Sequence, residues 1–430
     1  MSSTAQVHRS PTLREEVHEL VLPSGLSLCF CPKPGFKKKY ACYSTFYGSV
    51  DNDFSVAGGK RERVPDGIAH FLEHTLFETE KGNASDLFAV NGAYNNASTS
   101  FTTTTYLFAS SDRFYDNLGL LIDFVENPAF RKDKVDKERG IIEQEITGYD
   151  DSPDWVSYRT LLENLYHEHP MRIDIAGTAE SIADVDVDSL DSCYRAFYHP
   201  SNMCLFVTGD VDQAELFDFV AARSQDRPST PGVGERFLPD EPEGVCTATT
   251  TLNMEVAIPK LLLGFKEVRV PSSGREFVLR ELVSDMALEI LFSRSSDLFR
   301  ELYEKQLILD DFSASYGAGA GIGYAMIGGD TPDPSGLEKI LCEKTEELRS
   351  RGFSADEFER GKRKFIGNFI SSFNSLEYLA SYYTYFRFHG FDLFSTIDLL
   401  QAVDRGMLEE RIRELFEPSR RASVLVLPKA

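Results

Sequence analysis

Histidine is scarce in this 430-residue chain, with eight in all, yet two stand four positions apart in "DGIAHFLEHTLFE" (66–78), with a glutamate just before the second. On a helix, positions i, i+3 and i+4 share a face, so His70, Glu73 and His74 point the same way. Two imidazoles one turn apart can chelate a single zinc ion, and the carboxylate between them is placed to accept a proton from water at the metal. A chance match to H-x-x-E-H is expected in roughly one per hundred random chains of this length and histidine content, so the spacing is informative. The plain alternative is a pair of satisfied core or helix-surface histidines.

A catalytic zinc takes three protein ligands and leaves a fourth position for water. The helix read over 134–150, "KVDKERGIIEQEITGYD", offers Glu138, Glu143 and Glu145 as the third ligand. Glu138 and Glu145 are seven residues apart and share a face, with Ile141 and Ile142 expected to pack inward beside them. Composition does not choose among the three, and a solvated acidic face is the other reading of this run. A closed structural zinc site is disfavoured because it wants four ligands.

Flanking elements must hold these groups in place. Residues 17–60 read as strands broken by turns, 67–79 switch to helical spacing, and 94–110, "YNNASTSFTTTTYLFAS", return to a β pattern. Helices are expected over "DRFYDNLGLLIDFVENP" (112–128) until Pro128 stops it, and over 134–150, 155–168 and 188–198, and the strand "NMCLFVTGDV" (202–211) closes the unit. The stretch 223–244 is dense in Pro, Gly and charge, a linker composition. The same order then restarts: a strand over 251–268, a long helix over 275–304, strands around 311–329, helices around 335–350 and 355–388, and a last strand at 421–428. An α+β fold of two homologous lobes follows, each an antiparallel-rich sheet with helices on one face. The lobes are placed at 1–225 and 246–430 with a linker at 226–245. "LEHTLF" (72–77) and "LEILF" (288–292) hint at duplication, and the second lobe has no histidine there to hold a metal.

The bulk chemistry narrows the partners. A net charge of −23 argues against nucleic acid or an anionic membrane surface, both of which need clustered Lys and Arg. The seven cysteines lack any C-x-x-C pair and lie mostly in apolar runs, so they read as small buried hydrophobes in a reducing compartment. The first twenty residues have no apolar segment of signal-peptide length, and no stretch of about 18 apolar residues occurs. A cytoplasmic location is expected.

H-x-x-E-H defines the inverzincins, and here "ERGIIEQE" ends seventy-one residues after His74. With "VPDGIAHFLEHTLFE", "YDDSPDW" and "HPMRIDIAGTAESI", this pattern resembles the insulinase/pitrilysin family of zinc peptidases, over nearly the whole chain. The likeness extends to its short bacterial processing-peptidase-like members, which occur as paired subunits. The resemblance implies that His70, His74 and Glu145 bind one Zn2+ per chain, that Glu73 is the general base, and that Glu138 lies beside the metal site. "GAYNNASTS" resembles the family's G-x-x-x-N-A-x-T-S edge strand, implying that Asn96 and Ala97 hold an extended peptide substrate. A polar edge strand that resists aggregation is the other reading.

One departure is informative. Active single-chain relatives carry an Arg and a Tyr seven residues apart in the second lobe, but "LYEKQLILDDF" (302–312) puts Tyr303 and Asp310 at those positions. The resemblance therefore implies a homologous partner subunit without the zinc motif, a homodimer being the alternative. The expected activity is zinc-dependent endopeptidase cleavage of peptides or small unfolded proteins in a processing role; a catalytically silent scaffold is the rival. His167 and His169 read as surface residues at a helix end, Lys37, Lys38 and Lys39 as a solvated turn, and the aromatic run at 382–388 as core or lobe interface.

Overall fold

The computed structural model describes residues 5–56, 58–223 and 233–429. The main elements of the first lobe are β1 (Gln6–Ser10), β2 (Glu15–Val21), β3 (Ser27–Pro32), β4 (Lys39–Thr45), α1 (Ile68–Leu76), β5 (Tyr94–Thr99) and β6 (Thr104–Ser110). Then come α2 (Phe114–Glu126), α3 (Lys132–Asp150), α4 (Pro153–Leu165), α5 (Val187–Phe197) and β7 (Met203–Gly209). The second lobe has β8 (Thr249–Met254), β9 (Lys260–Val268), α6 (Gly274–Phe292), β10 (Ser313–Gly319) and β11 (Ile322–Asp330). It ends with α7 (Pro334–Arg351), α8 (Ala355–Ser372), α9 (Leu376–Phe388), α10 (Arg405–Leu415) and β12 (Arg421–Pro428).

The duplication is visible in the sheets. The first runs β1-β2-β3-β7-β4-β6-β5 and the second β8-β12-β9-β11-β10. Each contains one parallel pair, β3 with β7 or β8 with β12, in an otherwise antiparallel order. Without its first two strands, the first sheet has the order of the second.

Each sheet carries its own lobe's helices on one face, and a helix of the other lobe covers the opposite face. The leucines Leu161, Leu162 and Leu165 of α4 pack with Leu262 and Val424 of the second sheet. In return α9 lies on the first sheet, with the Tyr383 ring 5.2 Å from that of Phe206. Covering both faces explains the unbroken apolar run of β3, since a strand buried on both sides does not alternate with polar residues. Leu28 and Phe30 join the first-lobe core, while Cys29 and Cys31 join the cluster that runs into the second lobe. The aromatic run thus lies at the lobe interface.

Serine caps divide helices that the apolar spacing alone makes continuous. The stretch 275–304 breaks where Ser296 caps a short helix, Asp297–Glu304, and 355–388 breaks where Ser375 caps α9. Pro259 precedes a separate strand, β9, dividing the single strand expected over 251–268. Of the expected linker 226–245, residues 226–232 lie outside the described residues. The remainder is held against both lobes: Val233–Arg236 pairs with Asp53–Val56, and the Glu241 carboxylate accepts from the backbone N–H groups of His167, Glu168 and His169 and from Lys266.

Candidate metal centre

Helix α1 buries Ile68, Phe71, Leu72 and Leu76 in the first-lobe core, which fixes its rotation and turns His70, Glu73 and His74 toward α3. Its first turn begins at Gly67, with φ of 89°. A Cβ there would lie 2.4 Å from the Ala176 carbonyl oxygen, so only glycine brings the helix this close to that loop. Helix α3 buries Val135, Ile142 and Ile146, which presents Glu138 and Glu145 to the histidines.

His70 Nε2 is 3.7 Å from Glu145 Oε1 and His74 Nε2 is 3.4 Å from Glu145 Oε2. Glu138 Oε2 stands 3.6 Å from the other nitrogen of His74, Nδ1. One ligand atom from each of His70, His74 and Glu145 can be chosen so that all lie within 4.8 Å of one another; no other such trio of His, Cys, Asp or Glu occurs among the described residues. Ligands about 2.0–2.1 Å from a tetrahedral zinc are separated by about 3.3–3.5 Å; here each imidazole faces its own oxygen of Glu145, at 3.7 and 3.4 Å, so a small turn of the carboxylate brings one oxygen to both. Two imidazoles, a carboxylate and no thiolate fit a zinc ion that keeps one position open.

Burial and the pairing of His74 with two carboxylates set the electrostatics of the cluster. Burial, helped by the nearby His74, pushes His70 down to about 4. Burial also opposes the charge of His74, but hydrogen bonding to Glu138 and Glu145 prevails and lifts it to about 9. Glu145 is held down at about 2, chiefly by His74. These last two shifts describe one shared interaction. His70 Nδ1 is buried and has no hydrogen-bond partner among the described residues. Glu73, also buried, is raised by desolvation, against which its hydrogen bond from Thr99 acts.

A cavity of about 340 Å³ contains His70, Glu73, His74 and Glu145, together with Asn96 and Ala97 of β5. Thr99 Oγ1 donates to Glu73 Oε2 at 2.5 Å, and Tyr149 OH donates to Glu145 Oε1. Tyr149 in turn stacks on Trp155, with ring centroids 4.9 Å apart. Sequence reasoning passed over Thr99 and Tyr149. Tyr149 was signalled by its place one turn after Glu145 on the same helix.

Some expectations are corrected. Ile141 is 42% exposed, because it falls just outside the arc that Ile142 and Ile146 bury. Glu143 is exposed as well. His169 is not on the surface: it caps the turn Pro170–Arg172, accepting from Met171 N while its Nε2 faces Ala320 O of the second lobe at 3.1 Å. Tyr303 and Asp310 are both exposed, and neither lines the cavity of the histidines.

The second lobe repeats the packing without the ligands. Counted back from the cap serines Ser152 and Ser375, Glu138 corresponds to Gly361 and Glu145 to Asn368. A Cβ at Gly361 would lie 2.2 Å from Ile290, so α8 closes on α6 where the first lobe keeps its polar pair.

Two family models match successive parts of the chain. Residues 54–179 match the family described as Insulinase (Peptidase family M16), and 184–365 match the Peptidase M16 inactive domain. The uncharacterized zinc protease YmfH of Bacillus subtilis (strain 168) is 42% identical over 423 residues, covering 97% of this chain and 98% of its own. The chain belongs to the insulinase family, M16. A crystal structure described as an M16-like peptidase from Alicyclobacillus acidocaldarius superposes with a TM-score of 0.94 at 32% identity, over 98% of this chain and 100% of that one. Pitrilysin shares the fold at a TM-score of 0.76 and 16% identity, this whole chain spanning 47% of it. The M16 chain is thus of the short bacterial type, in a metalloprotease family. Among its described residues no helix is long and apolar enough to cross a membrane.

Proposed function

We propose that this chain is a zinc-dependent endopeptidase acting on peptides or small unfolded proteins. The observation that carries the reading is the convergence of His70, His74 and Glu145 in one cavity with the buried carboxylate of Glu73. When bound there, zinc would supply Lewis-acid polarisation of the scissile carbonyl and acidify a water.

The chain's own groups supply the rest. Glu73 Oε2 is fixed by Thr99, which leaves Oε1 to take a proton from the attacking water and deliver it to the leaving amine. Burial raises Glu73 above the ordinary glutamate range, so its affinity for that proton is better matched to neutral pH. Glu138 orients His74 from behind, and Tyr149 orients Glu145. β5 is a free sheet edge, on which an extended peptide can form a further strand beside Asn96 and Ala97.

A homologous subunit without the metal motif is the partner this reading favours, because Tyr303 and Asp310 offer no Arg/Tyr pair toward substrate; a homodimer is the alternative. The processing role and cytoplasmic placement belong to the same proposal. Zinc content and cleavage of a quenched peptide library by wild type and Glu73→Gln test it. One zinc per chain with cleavage lost only in the variant is expected, whereas a silent scaffold cleaves nothing in either form.

A further inference from the structure

A second cavity, of about 460 Å³, lies on the other side of β5, between the first sheet and helices α6 and α9 of the second lobe. The register fixes which residues face it. Ala97 pairs with Tyr106, which is buried in the first-lobe core, so Asn96 and Ser98 point to the opposite face. Ser98 lines both cavities, and Ser98 and Ser100 are exposed, so the second cavity opens to solvent along the strand's edge.

Two carboxylates, Glu281 and Asp285, stand one helical turn apart on α6 and line this cavity. Glu281 accepts from Tyr385 OH at 2.5 Å, Asp285 accepts from the backbone of Tyr316, and neither has an ion-pair partner among the described residues. Burial raises both, Glu281 to about 8 and Asp285 to about 7. Thr384, 4% exposed, lines the same cavity with its Oγ1 unpartnered apart from the weakly bonding Cys42 thiol. Two carboxylates without a cation, beside the Thr384 hydroxyl and Tyr382, are what a buried ammonium or guanidinium needs. A metal ion is disfavoured, because no third ligand converges there.

We propose that this cavity receives Lys or Arg side chains of a peptide lying along β5, making cationic peptides the preferred substrate class. The assignment rests on reading β5 as the peptide-docking edge. Successive side chains of an added strand point to opposite faces, so residues directed at the metal alternate with residues directed at Glu281 and Asp285.

Binding tests this apart from hydrolysis. Zinc-loaded Glu73→Gln protein is titrated with fluorescein-labelled nine-residue peptides carrying lysine or norleucine at alternate positions. The lysine peptide should bind at least about tenfold more tightly. Adding Glu281→Gln and Asp285→Asn should bring that ratio below about threefold. Removing equal charge from the exposed face of α7, by Glu343→Gln and Glu347→Gln, should preserve it. If the cavity variant fails to fold, Thr105→Lys places a cation in the cavity and must abolish the same preference. Equal affinities for the two peptides, or a preference that survives the cavity substitutions, would overturn the assignment. Failure to cleave while selective binding persists would count against hydrolysis alone.

Discussion

Glu138 offers the sharpest separation between a ligand and its support. Its side chain is 6% exposed and its Oε2 lies 3.6 Å from His74 Nδ1, while Lys137, 3.7 Å from its other oxygen, also bonds Glu78 at 2.9 Å. A full charge pair at 3.6 Å and an effective dielectric of about 20 is worth about 4–5 kcal/mol. A metal-bound imidazole is neutral and only polarised, so the useful part is smaller, about 1.4–2.7 kcal/mol, or 10–100-fold in metal affinity. Glu138→Gln keeps an acceptor for Nδ1 and should weaken zinc about tenfold. Glu138→Ala leaves Nδ1 as unpartnered as that of His70 and should weaken it about a hundredfold. Competition against a chromophoric chelator at pH 7.5 reads these constants directly. Affinities within about threefold of wild type for both variants would refute the idea that Glu138 positions His74.

Other consequences are as direct. Glu73→Gln should keep its zinc and lose about 10²–10⁴ in kcat/KM against a quenched peptide, measured beside metal content. Gly67→Ala drives a Cβ to 2.4 Å from the Ala176 carbonyl and should cost at least about 2 kcal/mol in denaturant unfolding. Leu161→Ala, at a fully buried contact between lobes, should cost about 2–5 kcal/mol. Glu281 and Asp285 bind protons in the folded chain up to about 8 and 7, whereas the unfolded chain releases them near pH 4. Their stabilising contribution is therefore complete below pH 4 and lost as pH rises to about 8, on the order of several kcal/mol. Thermal melts from pH 5 to 9 should show a shallower fall in Glu281→Gln/Asp285→Asn; identical slopes would contradict it.

Much of the site was legible because its residues lie on helices whose faces follow from spacing. His70, Glu73 and His74 needed only a period of 3.6, and Glu138 with Glu145 the same rule over two turns. The choice of Glu145 over Glu143 did not follow from composition; it came from the family motif, and in the structure Glu145 lies beside both imidazoles while Glu143 is exposed. Lobe order and its restart after the linker were readable from alternating elements, but the matching strand order of the two sheets was not, since it lies in pairing between distant segments. What escaped depends on contacts between distant segments. His169 reads as surface because nothing nearby announces Ala320 across the lobe boundary. The apolar run of β3 does not say that its second face is covered by α9. Glu281 and Asp285 look like an ordinary charged stripe until the fold lays the first sheet over them.

The central claim is one metal ion held by two imidazoles and one carboxylate. X-ray absorption at the zinc edge of the reconstituted 430-residue chain tests it most directly. The account predicts one zinc per chain with two imidazole nitrogens at about 2.0–2.1 Å, oxygen in the remaining shell and no sulfur, and loss of this signal in His70→Ala/His74→Ala. A sulfur shell at about 2.3 Å, or stoichiometric zinc surviving in that double variant, would contradict it.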